Sequence, residues 1–430
     1  MTRRGTRPSR ASPARARRQE TWLAFVNRPV TFGLLALGRR LGDVVRLPGI
    51  GRLVNDAEVA RAILVDGTSF NSHDPGSFGH MITRVLGPRA LINMDGPEHQ
   101  SLKRHLMEVF SARYVEEVTG HATGAMVDRL RDDLQAGRTV DFAAFMRQYG
   151  GAMACALVGV SIAPADRHAA HEEIFQIATG IMSLAGIRRR VLSPADAARA
   201  RAYAGRLSAM IRDSYDRDNY DRDGVPGRSV TQALRARGLA FGEVEGLVSV
   251  VMVGATELII YGLPRILAVL VDSGALPRLA DAPERLNQAI DEAYRVVTPS
   301  NVVLRAVAAD REVHGHRFRR GERVLVAIRN VMRQPKHFAD PGLFDLDRVI
   351  PPHLRRLPFG AGAHNCLGIS LALAETRHVL SALLALGGRL AILRRGRNRG
   401  KIYPGYTELL IRLDPRPAPA PTACSNGPVV

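Results

Sequence analysis

The sequence predicts a mainly α-helical protein with a smaller β region. From about residue 120 to 290 the chain runs in long Ala-, Arg- and Leu-rich segments, broken by polar stretches at 134–139, 216–228 and 273–284. Strand-type runs are confined to 44–54 and 300–328. Strands and helices do not alternate, which argues against a doubly wound parallel sheet.

The elements follow in order. The first 20 residues, MTRRGTRPSRASPARARRQE, hold seven arginines and no apolar segment, so they read as a disordered basic arm and not as a secretory signal. VVRLPGIGRLVNDAEVARAILV, residues 44–65, reads as two strands around a Pro/Gly turn and then a helix. A turn at Asp95 and Gly96 precedes a helix that opens at Pro97 and Glu98. Residues 247–271 are apolar enough to cross a bilayer. Glu257, Pro264 and Arg265 interrupt them, however, and a charge at mid-span costs roughly 2.5–3.5 kcal/mol. A helix apolar on all sides is then the central helix of a soluble core, with a bend expected at Pro264. NVVLRAVAA and ERVLVAI form strands around a turn near Gly315. Residues 367–386 make a last long helix, ended by Gly387 and Gly388. The Pro/Ala-rich stretch 414–430 reads as a disordered tail, which leaves 21–413 as one large domain.

The net charge of +19 invites a nucleic-acid reading. The basic residues are 57 arginines and only three lysines, a skew that fits codon bias as well as a phosphate footprint. No nucleic-acid motif is present and there is one tryptophan, so stacking aromatics are scarce. Cys155, Cys366 and Cys424 have no regular spacing, which excludes a disulfide framework or a zinc site and points to a reducing, cytoplasmic location.

Cys366 lies in FGAGAHNCLG, residues 359–368. Gly360 and Gly362 let the backbone turn tightly against a flat ligand. The cysteine stands before a helix start, whose dipole and free N–H groups favour a thiolate. Such a sulfur suits ligation of haem iron from one side. A small buried hydrophobe is the usual role of a lone cysteine. A nucleotide loop would need a third glycine and a preceding strand. His364, two residues away, is poorly placed for a catalytic Cys–His pair.

The stretch resembles the haem-binding signature of the cytochrome P-450 superfamily, Phe-Gly-x-Gly-x-His-x-Cys-x-Gly, at Phe359, Gly360, Gly362, His364, Cys366 and Gly368. The resemblance covers roughly residues 40–413 and implies the mainly α cytochrome P-450 fold, with 21–413 as a haem-thiolate catalytic domain. It implies haem b as cofactor, Cys366 as the axial ligand, Phe359 beside the sulfur and His364 at a haem propionate. Glu292 and Arg295 resemble the family's Glu-x-x-Arg, and Arg348 the arginine that completes a structural network with them. His99, Lys103 and Arg305 match propionate contacts. Arg356 stands near the place of another such contact, and either replaces it or is solvated.

The chain departs from the family in its oxygen-activating helix, which usually reads Ala/Gly-Gly-x-Asp/Glu-Thr-Thr. Here Val253-Gly254-Ala255-Thr256-Glu257-Leu258 inverts the acid and the alcohol, so Thr256 and Glu257 are the candidate catalytic pair. Glu257 as a hydrogen-bonded core acid is the plainer alternative.

The implied function is a haem-thiolate monooxygenase acting on a small, largely hydrophobic substrate in specialised metabolism. A separate ferredoxin and ferredoxin reductase would supply electrons. The altered relay leaves open peroxide-driven or non-hydroxylating chemistry, and more remotely a non-catalytic haem-binding protein. Expected pocket segments are 70–92, 176–200, Val253, Thr256, 299–304 and 404–407, with Val302 and Val303 favouring an apolar ligand. The run Arg188–Arg190 reads as a solvated charge run or an anion contact. Arginines of 355–356 and 389–399 are expected to dock an acidic ferredoxin.

Overall fold

The structure is a computed structural model, which describes residues 11–75, 77–87, 89–184, 192–217, 229–387 and 389–414. The run 188–190, Cys424 and all but the first residue of the expected tail lie outside these.

The helices are α1 (Pro13–Asn27), α2 (Pro29–Leu41), α3 (Ala57–Val65), α4 (Phe78–Leu86), α5 (Gly96–Val109), α6 (Ala112–Gln135), α7 (Phe142–Val158) and α8 (Arg167–Leu184). They continue with α9 (Pro194–Asp216), α10 (Val230–Arg235), α11 (Phe241–Ser273), α12 (Ala275–Asp281), α13 (Leu286–Val297), α14 (Ile328–Val331), α15 (Pro352–Arg355) and α16 (Ile369–Leu384). The strands are β1 (Val44–Leu47), β2 (Gly51–Val54), β3 (Phe70–Asn71), β4 (Val140–Asp141), β5 (Val303–Val307), β6 (Arg311–Val313), β7 (His316–Phe318), β8 (Arg323–Val326), β9 (Arg389–Arg397) and β10 (Tyr406–Asp414).

Local chemistry sets many helix starts. Asp56 caps α3 through the N–H groups of Glu58 and Val59, and Asp141 caps α7 through those of Ala143 and Ala144. Ser77, Ser111 and Ser229 cap α4, α6 and α10 with their hydroxyls. A five-stranded sheet, ordered β1-β2-β8-β5-β3, joins the early strands to those of the 300s, with β2 and β8 parallel. A second sheet, β4-β10-β9, packs beside the helices.

The helix α11 is the axis of the molecule. It packs against α7, α8, α1, α9 and α13, and 22 of its 33 residues are buried. It runs through Pro264 as one element. It and the 362–384 stretch are long and apolar enough to cross a membrane, but the apolar window of α11 is mostly buried inside the protein.

The expected arm of residues 1–20 is overturned over its second half. Ser12 caps α1, whose Ala16 and Leu23 enter the main core. Glu20 explains why a polar, Arg-rich segment folds here. Its carboxylate is buried, bonded by the Arg265 guanidinium of α11 and 3.6 Å from the Arg329 guanidinium. Arg265 also donates to the Val297 carbonyl. This long-range pairing leaves no local trace in the sequence.

A buried carboxylate removed from between two guanidiniums strands their charge, so Glu20→Ala should lower stability by about 3–5 kcal/mol. Urea unfolding of both proteins checks this. A loss below about 1 kcal/mol would place the pair in water.

Candidate active site

The 359–368 loop folds as two short 3-10 turns ahead of α16. Gly362 has φ +71°, and a Cβ there would lie 2.4 Å from the Leu64 carbonyl oxygen, so the loop can press on α3 only with glycine. The Cys366 N–H donates to the Phe359 carbonyl at 2.8 Å, which closes the loop around the sulfur. The Phe359 ring packs 4.9 Å from Tyr294. The Tyr294 hydroxyl in turn bonds Thr376 at 2.9 Å and the Ala372 carbonyl at 3.2 Å, which ties the loop to both α13 and α16.

The sulfur faces an internal cavity of about 380 Å³. Burial raises the Cys366 thiol pKa, against the opposing pull of the Gly368 N–H and Lys103. The expected helix-dipole activation is therefore outweighed, because Cys366 stands three residues before α16 and Gly368 occupies its cap. A metal cation would reverse that balance by binding the thiolate directly.

Basic groups gather at the same cavity. The Lys103 ammonium bonds the carbonyls of Ala363 and Asn365 at 2.6 and 3.0 Å, so it also braces the loop. Arg305 is buried on β5 and donates to the neighbouring Leu304 carbonyl. Burial lowers its pKa to about 10, partly offset by Asp95. His99 is buried with its Nδ1 unpartnered, and burial, with His364 and Lys103 nearby, pushes its pKa down to about 4. Burial would raise the Asp95 carboxyl, but hydrogen bonds from His364 at 2.6 Å and His73 at 2.7 Å prevail and hold it at about 2. His364 thus lines the cavity with its Nε2 held by Asp95 and its ring 4.4 Å from that of His99.

Arg356 departs from its expected place. It follows α15, lies outside the cavity lining and pairs with Asp291 at 2.6 Å on the surface. Glu292 and Arg295 are fully buried, bonded at 2.6 and 2.7 Å. Arg348 reaches Glu292 at 3.1 Å, and Arg295 also donates to the carbonyls of Met332, Pro341 and Leu343.

The catalytic pair expected on α11 is not at the cavity. The residues facing it are Leu247, Val250, Val251, Gly254, Ala255, Leu258 and Ile259. Thr256 is buried on another side, its hydroxyl spent on the Met252 carbonyl at 2.6 Å. Glu257 is buried next to that face, outside the lining, with Oε2 unpartnered. A helix advances about 100° per residue, so a face centred on 251, 254, 255 and 258 excludes 256, while 257 stands at its edge, on the same side as Val250. The sequence pattern identified the stretch but not its rotation.

Other expectations divide similarly. Ser72, Phe78, Gly79, Leu91 and Ile92 line the cavity, as do Pro299, Ser300 and 302–304. Val253, the 404–407 turn and the described residues of 176–200 do not. Ile402 and Tyr403 take the place of the turn. Sequence reasoning missed Glu375, the one carboxyl among the described lining residues, buried with Oε1 unpartnered. Its signal was a lone acid in the apolar run LALAETRHVL, nine residues after Cys366. Of the expected docking arginines, Arg355 and Arg356 are exposed, whereas Arg395 and Arg397 turn inward to Asp272 and Gln19.

The residues fit a haem. One soft sulfur donor opens into the cavity, an unpartnered buried histidine nitrogen and a sparsely bonded guanidinium stand where carboxylates would sit, and Gly254 leaves open space on the facing helix.

Comparisons with known proteins agree. A cytochrome P450 family model matches residues 282–386. The chain carries a cytochrome P-450 family match over those residues. It is 28% identical over 350 residues to the vitamin D3 dihydroxylase of Streptomyces griseolus, covering 77% of this chain and 79% of that one. It is 29% identical over 375 residues to the mycinamicin IV hydroxylase/epoxidase of Micromonospora griseorubida, covering 81% and 88%. The fold matches P-450BioI, solved with an acyl-ligated acyl carrier protein, at a TM-score of 0.76 and 20% identity over 91% of this chain and 99% of that one. This P-450 is therefore a monooxygenase-type oxidoreductase that uses haem.

Burial raises the Glu257 pKa from 4.5 to about 8, with Lys401 opposing. Between those values the folded chain holds a proton that the unfolded chain releases, so its contribution to stability falls as pH rises. Glu257→Gln should therefore gain stability relative to wild type as pH rises from 5 to 8, by an amount on the order of a few kcal/mol. Parallel melting curves across that range would show that Glu257 carries no buried proton.

Proposed function

We propose that this P-450 inserts oxygen into a small, largely apolar molecule of specialised metabolism, with Cys366 as the axial ligand of haem b. The single observation that carries the reading is the Cys366 sulfur at an otherwise mostly apolar cavity rimmed by His99, Lys103 and Arg305. These three would hold the haem carboxylates, and Phe359 would shield the sulfur. When bound, the haem supplies reductive activation of dioxygen, one atom entering the substrate and the other leaving as water. Relatives named for hydroxylating vitamin D3 and mycinamicin IV support a hydroxylation. The lining of Leu247, Val250, Val251, Leu258, Val302 and Val303 supports an apolar ligand.

Protons need a different source here from the usual acid and alcohol of the central helix. The cavity face of α11 is apolar, so it excludes water and moves no proton. Glu375 is the carboxyl at the cavity, and burial raises its pKa well above the usual range, in the direction that suits a proton donor. We assign to Glu375 the replenishing of the site's protons through water, because α16 continues from the Cys366 loop and stands on the sulfur's side of the cavity. An acidic ferredoxin, reduced by its reductase, would dock by charge at the face that exposes Arg355 and Arg356, beside the cysteine loop.

The reduced, CO-bound protein should show the thiolate absorption, and Cys366→Ser should abolish it. A thiolate spectrum in that variant would overturn the ligand assignment. With a substrate found by spin-state titration, Glu375→Gln should keep haem occupancy but lose about 10²-fold in product formation, with reducing equivalents diverted to peroxide. Glu257→Gln should stay coupled. A fully coupled Glu375→Gln would move proton delivery to water alone. The apolar α11 face also favours a second reading, peroxide-driven turnover, which predicts that added peroxide supports product formation without NADPH and equally in Glu375→Gln.

A further inference from the structure

The α1–α2 hairpin lies outside the active site and exposes an unusual surface. Trp22, Phe25, Val30, Leu37 and Leu41 are five of the nine strongly exposed large apolar side chains among the described residues. On α2, Val30, Gly33, Leu37 and Leu41 recur at helical spacing and make one exposed stripe. Gly33 has nothing within 4 Å of where a Cβ would stand, so the stripe is open along its length. On α1, Arg18, Trp22 and Phe25 share one exposed face. Aromatic contacts join the two helices, with Trp22 stacked on Phe25 at 5.6 Å and Phe25 edge-on to Phe32 at 5.9 Å.

Within the two helices the exposed charge has one sign, and the exposed Asp43 follows just beyond α2. Between residues 13 and 42 the only acid is Glu20, which is buried against Arg265. Arg17 and Arg18 are exposed at one end and Arg39 and Arg40 at the other. An apolar stripe with an exposed tryptophan, flanked by arginines and with a single exposed acid, Asp43, just beyond its end, combines the two features that hold a helix in a lipid interface. Arginines near an anionic surface add attraction that falls with salt. A second copy of the chain is a poor occupant, because each copy carries +19 and the patch borders are cationic.

We propose that the α1–α2 hairpin docks this protein peripherally on an anionic lipid bilayer, with Trp22, Phe25, Val30 and Leu37 in the interface and Arg18, Arg39 and Arg40 at the headgroups. Nothing spans the membrane in this arrangement. The hairpin is anchored to the core through Glu20, Leu23 and Leu35, so docking leaves the fold intact.

The protein's single tryptophan makes the test direct. Haem-loaded full-length protein is floated with phosphatidylcholine vesicles that do or do not contain phosphatidylglycerol. The expected result is co-flotation with the anionic vesicles, reduced at high salt, with a blue shift of Trp22 emission. Leu37→Glu and the double change Arg39→Glu, Arg40→Glu should each cut the bound fraction at least tenfold, with unchanged haem content and circular dichroism. Equal flotation of wild type and these variants would overturn the proposal, as would absence of binding to anionic vesicles. It would be overturned too if Trp22 became shielded without lipid in step with dimer formation in sedimentation, since a second copy would then cover the patch.

Discussion

Glu292, itself fully buried, holds two guanidinium groups. Arg295 meets it through two hydrogen bonds and Arg348 through a third, and the Asp345 N–H adds another at 3.1 Å. A carboxylate so enclosed is tolerable only because its oxygens are satisfied, and each guanidinium is satisfied in turn by carbonyls of the 332–343 stretch or Ala339. The irregular chain after α14 therefore has one acceptable path. α13 is fixed by the same bonds, and its Tyr294 reaches Phe359 and α16. The loop that presents Cys366 inherits its position from this network.

The active site follows from a division between its two walls. The cysteine wall is polar and closely bonded, with Lys103, Asp95 and His364 holding loop atoms to the α5 region. The opposite wall, the cavity face of α11, carries no hydroxyl or carboxyl. In a site of this kind, charge is managed from below and at the edges, and the space above the sulfur is left to an apolar ligand. Glu257 and Glu375 are both buried acids without a counter-charge in contact, yet they stand in different relations to the cavity. Only Glu375 lines it.

Several features were legible because they depend on neighbours in the chain. The strands at 44–54 and 300–328, the breaks between helices and the loop before α16 all follow from turn residues, caps and periodicity. The Cys366 signature is also local, since six fixed positions within ten residues define one backbone shape. The Glu292–Arg295 spacing placed both on one helix face, although nothing local distinguishes a buried pair from a solvated one.

Thus the sequence by itself determined the helix-rich architecture, the family resemblance and the identity of the sulfur, because these are written in contiguous residues. Tertiary structure decided the rest. The rotation of α11 about its axis depends on what packs around it, and that rotation removed Thr256 and Glu257 from the site. Glu20 could order an arginine-rich segment only because Arg265, 245 residues away, needed a carboxylate. Arg356 went to Asp291 and Arg305 stayed at the cavity, although both are arginines near the signature or its supporting strand. In each case the outcome is set by a partner distant in sequence and by the cost of leaving a buried charge unpaired.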